Sequence, residues 1–336
     1  LTMDLLTQGL LGTSIALAVA KPDEIKKAGI IGLLAGLAAD VDFFIRSNSD
    51  PLLNLEFHRH FTHSLFFIPI AALVLSVLLW PFFRKHLSWK RVFTYSLAGY
   101  LLSGLLDACT SYGTRLLWPL SEAKISLNII SIIDPIFTIS LLLGVLLTLK
   151  TKQKIYIYLF LIISSSYMTL GWFQHKQVEQ LSFQLANQRG HQVERSIVKP
   201  TLGNLFLWRS VYLHQNTYFV DAIRLSPLTG QSTIYEGESI KRFDPEIHNL
   251  KIAADSVLQN DIKRFSSFSS DYLAIDPQQK DFIIDVRYSN LPNKTSPLWG
   301  IQIEPDNPEK HALFQIKRDS SKAIRDAFLN MLFNNN

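Results

Sequence analysis

Three histidines and a few aspartates carry the chemistry this sequence can offer. The segment His58-Arg-His-Phe-Thr-His-Ser64 sets three of the chain's nine histidines within six positions. Leu37-Ala-Ala-Asp-Val-Asp42 supplies Asp40 and Asp42, Leu106-Asp-Ala-Cys-Thr-Ser-Tyr-Gly113 supplies Asp107, and Ile133-Asp-Pro135 supplies Asp134. Imidazole nitrogens and carboxylate oxygens are ligands for a Zn²⁺-type ion, and an open coordination position carries a water whose pKa falls toward neutrality. A helix beginning near His58 would set His60 and His63 at i, i+3 on one face, with His58 entering from the preceding turn. These residues predict a divalent metal, zinc foremost with magnesium or manganese as alternatives, held by His58, His60, His63 and some of Asp40, Asp42 and Asp107. Asp42 and Asp107 are the catalytic candidates, completing the metal shell or acting as general base.

Each residue type also has a plainer use. Asp40 and Asp42 close an apolar run, where the helix dipole disfavours carboxylates, so capping explains them poorly. Asp107 lies about fifteen residues into another apolar run, and an ionisable group there is a functional candidate by default. Asp134 followed by Pro135 suits the N-cap and first position of a helix as well as it suits ligation. Thr62 and Ser64 fit either hydrogen bonding to the ligands or a helix start. Arg59 fits either an anionic substrate or an interfacial cation that snorkels to water.

The elements that position these residues are apolar. Of 336 residues, 48% are hydrophobic and 18% charged, against about 25% charged in an ordinary soluble domain. The deficit belongs to residues 1–174, which are roughly 14% charged, whereas the remainder is roughly 23% charged. Charge-free runs cover Leu5–Ala20, Ala28–Ala39, Phe61–Phe83, Val92–Leu106, Pro135–Leu149 and Ile155–Gln174. About 20 apolar residues span a bilayer. The third and sixth runs meet that length, and the fourth and fifth reach it with their flanks. The first two are short and hold Gly9, Gly12, Gly29, Gly32 and Gly36, which predicts closely packed helices or a re-entrant hairpin. No basic region precedes Leu5 and the apolar character continues past Ala28, which argues against a cleaved signal peptide. The single cysteine, Cys109, excludes a disulfide scaffold, and a net charge of +5 without a basic stripe argues against nucleic acid as a partner.

Charges in the links alternate. Lys21, Lys26 and Lys27, then Arg84, Lys85, Lys90 and Arg91, then Lys150, Lys152 and Lys154 fall on one side. Residues 40–60 and 107–134 carry the aspartates and only four basic residues. By the positive-inside rule the first set is cytoplasmic, which puts the His/Asp face and everything after about residue 175 on the non-cytoplasmic side.

Asp40-Val-Asp42, His58-Arg-His-Phe-Thr-His-Ser64, Leu106-Asp-Ala-Cys-Thr-Ser-Tyr-Gly-Thr-Arg-Leu-Leu-Trp-Pro119 and Ile132-Ile-Asp-Pro135 together resemble the LexA-regulated, membrane-bound metal-dependent hydrolases, the YdjM-like inner-membrane proteins. The likeness covers roughly the first 175 residues. It implies a multi-pass bacterial inner-membrane protein with hydrolase activity on an unassigned substrate. Where members often carry a histidine a few residues before the aspartate matching Asp107, this chain has Ser103-Gly104.

Beyond the apolar region, His175–Arg189 is predicted as a polar linking helix stopped at Gly190. Short β runs follow at Asn204–Trp208, Thr217–Ile223, Asp281–Arg287 and Leu298–Ile303, and Ser321–Phe333 has helical spacing. His191, His214, His248 and His311 are scattered, and no nucleophile elbow, phosphate loop or paired-cysteine motif occurs. The sequence thus predicts a polytopic α-helical membrane domain over 1–174, of about six hydrophobic helices with the first two short or re-entrant. An extramembrane α+β domain is predicted over 175–336. The expected function is a metal-dependent hydrolase at the outer face of the membrane, its partners the lipid bilayer and a lipid-linked or phosphoester substrate. The alternative is a non-catalytic membrane metal-binding or assembly protein whose outer domain binds a partner. Transport is disfavoured because the polar residues gather at one face.

Overall fold

A computed structural model describes residues 4–333 except 246–251 and 254, so His248 lies outside the described residues. The chain forms two compact units, one of Leu1–Ile45, Phe57–Phe173 and Leu202–Asn204, the other of Arg46–Glu56, Gln174–Thr201 and Leu205–Asn336. The first is helical and the second is built on β-sheets.

The helical unit begins with α1 (Leu5–Val19), capped by the Asp4 carboxylate on the Leu6 amide, and α2 (Ile25–Ala38). A 3₁₀ turn, Ala39–Phe44, continues from α2. After α3 (Leu53–Phe57), all but its last residue in the second unit, and a second 3₁₀ turn, Phe61–His63, come α4 (Ile68–Phe83), α5 (Trp89–Tyr100), α6 (Ser103–Ala108), α7 (Pro135–Thr151) and α8 (Ile155–Gln188), which passes into the second unit at Gln174. The glycines decide how α1, α2 and α5 meet. A Cβ on Gly12 would stand 2.5 Å from the Gly32 carbonyl oxygen and 2.7 Å from that of Gly99, so the three backbones cross with no side chain between them.

Two of the expected apolar helices are broken. Phe61–Phe83 is not one helix: the Ser64 hydroxyl accepts from the Phe66 amide at 3.1 Å and donates to the Trp118 carbonyl, and Pro69 restarts the chain in α4. The piece Leu53–His63 meets α4 at an 88° bend. Val92–Leu106 divides between α5 and α6, where the Ser103 hydroxyl takes the Tyr100 carbonyl at 2.8 Å. Among the described residues, α8 is the one helix long and apolar enough to cross a membrane by itself. Its 34 residues also absorb the expected linking helix. Nothing in 174–176 interrupts the helical ladder, and the chain turns only at Gly190, φ 72°.

The unit is apolar outside and partly polar within. Ile70, Val74, Val77 and Leu78 of α4, Ile139 and Leu146 of α7, and Leu159 and Ile162 of α8 are exposed, while Thr7, Gln8, Thr13, Ser14, Ser96, Thr138 and Ser140 are buried. This reverses the usual partition for water and matches a hydrocarbon surround, where interior hydroxyls bond across helices. The Thr7 and Thr138 hydroxyls do so at 2.6 Å between α1 and α7. At one end, Tyr95 donates to Glu24, Arg91 lies 3.8 Å from Glu24, and the Tyr158 hydroxyl donates to the Ala18 carbonyl at 2.8 Å. The α1–α2 turn and the first turns of α5 and α8 are thereby joined.

The second unit holds two antiparallel sheets. In the first, β1 (Arg195–Pro200), β2 (Leu207–His214), β3 (Thr217–Leu225) and β4 (Ser232–Tyr235) follow in order, and β5 (Ser239–Lys241) also pairs with β3. The β2–β3 hairpin closes on Gln215 and Asn216, both at positive φ, with His214 facing Thr217. The second sheet orders β6 (Leu273–Asp276), β7 (Gln279–Asp285), β8 (Trp299–Gln302) and β9 (Leu313–Ile316). Val211, Tyr218, Val220, Phe282 and Ile284 make the shared core. Helix α9 (Val257–Phe268) starts at the Ser256 cap, and α10 (Lys322–Phe333) ends the described chain. Segment 46–56 belongs to this unit through Arg264, which donates to both Asp50 carboxylate oxygens at 2.9 Å and to Glu56 at 2.9 Å.

Candidate metal centre

The 3₁₀ turn after α2, the 3₁₀ turn at Phe61–His63 and the end of α6 bring Asp40, His63 and Asp107 together, with one ligand atom from each within 4.8 Å of the others. All three are buried. His63 Nε2 stands 3.0 Å from Asp107 Oδ2 and 3.6 Å from Asp40 Oδ1. On the other side of the ring, Nδ1 is 3.0 Å from the Thr62 hydroxyl and 3.4 Å from Asp42. The Thr62 hydroxyl spends its proton on Asp42 Oδ2 at 2.7 Å. It can therefore only accept from His63, so Nδ1 carries the imidazole proton. In the neutral ring, Nε2 is then a lone pair facing two carboxylates, a donor set that could hold a metal ion.

The Asp40 environment agrees. Among the described residues neither of its oxygens finds a hydrogen-bond donor, and both are buried. Three buried carboxylates, Asp40, Asp42 and Asp107, face one buried guanidinium, Arg59. With His58 and His63 neutral, the cluster keeps a net negative charge that a divalent ion could balance. The residues present thus fit a metal.

A family model, YdjM inner membrane protein, matches residues 3–178, just over half of the chain. The chain belongs to the YdjM inner membrane protein family. No curated protein and no solved structure matches it. The YdjM segment contains every residue of the centre and ends within α8, ahead of β1.

Within the YdjM segment the six ligand candidates divide. Asp42 is a hub: it accepts from the Arg59 amide at 2.7 Å, from Thr62, and from His58 Nδ1 at 3.1 Å. His58 is held by that bond, and its buried Nε2 makes no hydrogen bond among the described residues. His60 faces elsewhere, with Nε2 3.7 Å from Glu122 and its ring 5.5 Å from Trp118. No helix starts at His58: α3 ends at Phe57, Arg59 takes φ 60°, and the expected i, i+3 face of His60 and His63 does not form. The Asp134 carboxylate accepts from the Ile136 and Phe137 amides at 3.1 and 3.2 Å and from Tyr167, so it caps α7.

Gln8 and Tyr100 went unnoticed in the sequence. Gln8 donates to Asp107 Oδ1 at 3.0 Å, and the Tyr100 hydroxyl donates to the Thr62 carbonyl at 2.6 Å. The available signal for Gln8 was an amide inside a charge-free run. Gly104, where relatives' spacing suggested a histidine nearby, presses its backbone on the His63 carbonyl, leaving no room for a Cβ. A second group, Asp50, Asp261 and His311, also lies within ligand reach. There Arg264 bonds both aspartates, and Asp261 further accepts from the Ala312 amide, so each carboxylate already has a hydrogen-bond donor.

Proposed function

We propose that this YdjM-family protein is a metal-dependent hydrolase of the inner membrane, with Asp40, His63 and Asp107 as the metal-holding residues. The supporting observation is the uncompensated Asp40 carboxylate beside a His63 Nε2 lone pair. Two carboxylates and one imidazole suit zinc or manganese. A divalent ion there supplies a Lewis acid and lowers the pKa of a water it carries. Asp42 and Thr62 orient His63, and His58 Nε2, its other nitrogen committed to Asp42, is the base available to receive a proton. His60 is left to the rim. Under the rival non-catalytic reading the same residues bind metal without turnover, so activity assays on phosphoester, lipid and amide substrates separate the two.

Metal analysis of the purified full chain tests the site. His63→Ala should retain no more than about a tenth of the wild-type metal, a loss of at least about 1.4 kcal/mol in binding, while His60→Ala keeps a full complement. Equal metal in wild type and His63→Ala would overturn the assignment.

We further propose that the α1–α2, α4–α5 and α7–α8 links are cytoplasmic, with α1, α2, α4, α5–α6, α7 and α8 making six crossings or entries and the centre opening on the non-cytoplasmic face. The ten lysines and arginines of those links and of the helix turns that flank them support this. A thiol introduced by Asn48→Cys, at an exposed position, should react with an impermeant reagent in intact cells. Reaction only after the cytoplasm is opened would reverse the orientation.

A further inference from the structure

Arg59 is built into the centre in a way that metal binding alone does not use. It is 3% exposed and held at φ 60°, an uncommon backbone for a residue that carries a Cβ, by the hydrogen bond from its amide to Asp42. Its guanidinium carbon sits 5.2 Å from the centre of the Tyr112 ring, and Nη1 donates to the Thr110 hydroxyl at 3.1 Å. The opposite edge is ion-paired to Asp107 but makes no hydrogen bond among the described residues. Nε lies 3.0 Å from Asp107 Oδ2 but too obliquely for a hydrogen bond, and Nη2, buried, has no acceptor among the described residues. Nε and Nη2 form the parallel pair of donors that grips an oxyanion bidentately. That edge adjoins the centre, because the same Asp107 oxygen is 3.0 Å from His63 Nε2.

We propose that Arg59 holds a phosphoryl oxyanion, so that the substrate class of this centre is a phosphoester. The inference rests on the metal reading above. A carboxylate would spend both oxygens on the Arg59 edge, whereas a tetrahedral phosphoryl group keeps a further oxygen for the Asp40–His63–Asp107 side. Asp107 repels an anion until a cation is bound, so phosphate binding depends on metal.

The full chain in detergent, stripped and reloaded with Mn²⁺, provides the test. Free Mn²⁺ is followed by its paramagnetic resonance, and the probes are inorganic phosphate and phosphatidylglycerol in bicelles, each observed by phosphorus line broadening. Loaded wild type broadens at least one probe and the stripped protein neither. Broadening of the lipid alone identifies a headgroup, and broadening of inorganic phosphate identifies a soluble phosphate. Arg59→Gln binds Mn²⁺ as tightly as wild type or more so, having lost a cation beside Asp107, but weakens phosphate at least tenfold. Arg59→Lys, which keeps the charge and loses the fork, also binds Mn²⁺ and weakens phosphate severalfold, and it carries the test if Arg59→Gln does not fold. Unchanged phosphate affinity in the folded variants, or Mn²⁺-loaded wild type that broadens neither probe, overturns the role of Arg59 alone. Failure of wild type to bind Mn²⁺ more tightly than His63→Ala overturns the metal reading and this inference with it.

Discussion

Gly12→Ala should cost the helical unit about 3 kcal/mol, the upper part of the range for overpacking, with loss of a monodisperse species in detergent. The added methyl would meet the carbonyls of Gly32 and Gly99 and the Gly36 Cα at 2.5, 2.7 and 2.9 Å, all backbone atoms of two other helices. A side chain can rotate away from such a contact, but a helix backbone can only separate from its neighbour. Gly29→Ala is the matched control: its methyl would find Leu17 at 3.5 Å and Thr13 at 3.7 Å, ordinary contacts. Its thermal unfolding midpoint should stay near wild type, since alanine also favours the helix by about 1 kcal/mol. Equal stability of the two variants would show that α1, α2 and α5 do not cross at Gly12.

Asp42→Asn should destabilise the protein by about 3–5 kcal/mol, the cost of breaking a buried charged network from one side, and should also lower metal content. Asp42 is fully buried and accepts from the Arg59 amide, the Thr62 hydroxyl and His58 Nδ1. An asparagine keeps the shape but sets an NH₂ group against donors, so at least one bond becomes a repulsion. Thr62 then loses the acceptor that orients its hydroxyl, and His63 loses its fixed tautomer. Thermal unfolding with and without added Zn²⁺ measures both effects. A variant as stable as wild type that binds metal equally would remove Asp42 from the hub.

Particular elements show why part of the fold was legible. Leu5–Ala20, Pro135–Leu149 and Ile155–Gln174 are charge-free, mostly apolar runs, and they appear as α1, α7 and the first half of α8, because in apolar surroundings the backbone has no better partner than itself. Thr217–Ile223 and Ser321–Phe333 likewise match β3 and α10 within a few residues. The breaks in Phe61–Phe83 and Val92–Leu106 were invisible because they depend on Ser64 and Ser103 hydroxyls taking backbone groups, one of them from distant Trp118. Strand β1 escaped notice since Arg195–Pro200 mixes charge with apolar residues and ends in proline, and its order comes from pairing with β2. Helix α9 has its own signal in the sequence, Ser256 followed by Leu258, Ile262 and Phe265 at helical spacing.

For the centre, residue types and membership of the YdjM inner membrane protein family were already in the sequence: clustered histidines, aspartates in apolar runs and the motif around Asp107. Chemistry of that kind is local, because ligand atoms belong to side chains whatever the fold. Only tertiary structure decided which of them meet. Asp40, His63 and Asp107 come from three separate segments and touch because the glycine crossing draws α1, α2 and α5 together, while the turn at Arg59 swings His60 toward Glu122 and His63 inward. The role of Arg59 was equally undecided in the sequence, where an arginine beside a membrane face most simply reaches for water. The hydrogen bond from its amide to Asp42 reverses that direction and sets the guanidinium inward, beside Asp107.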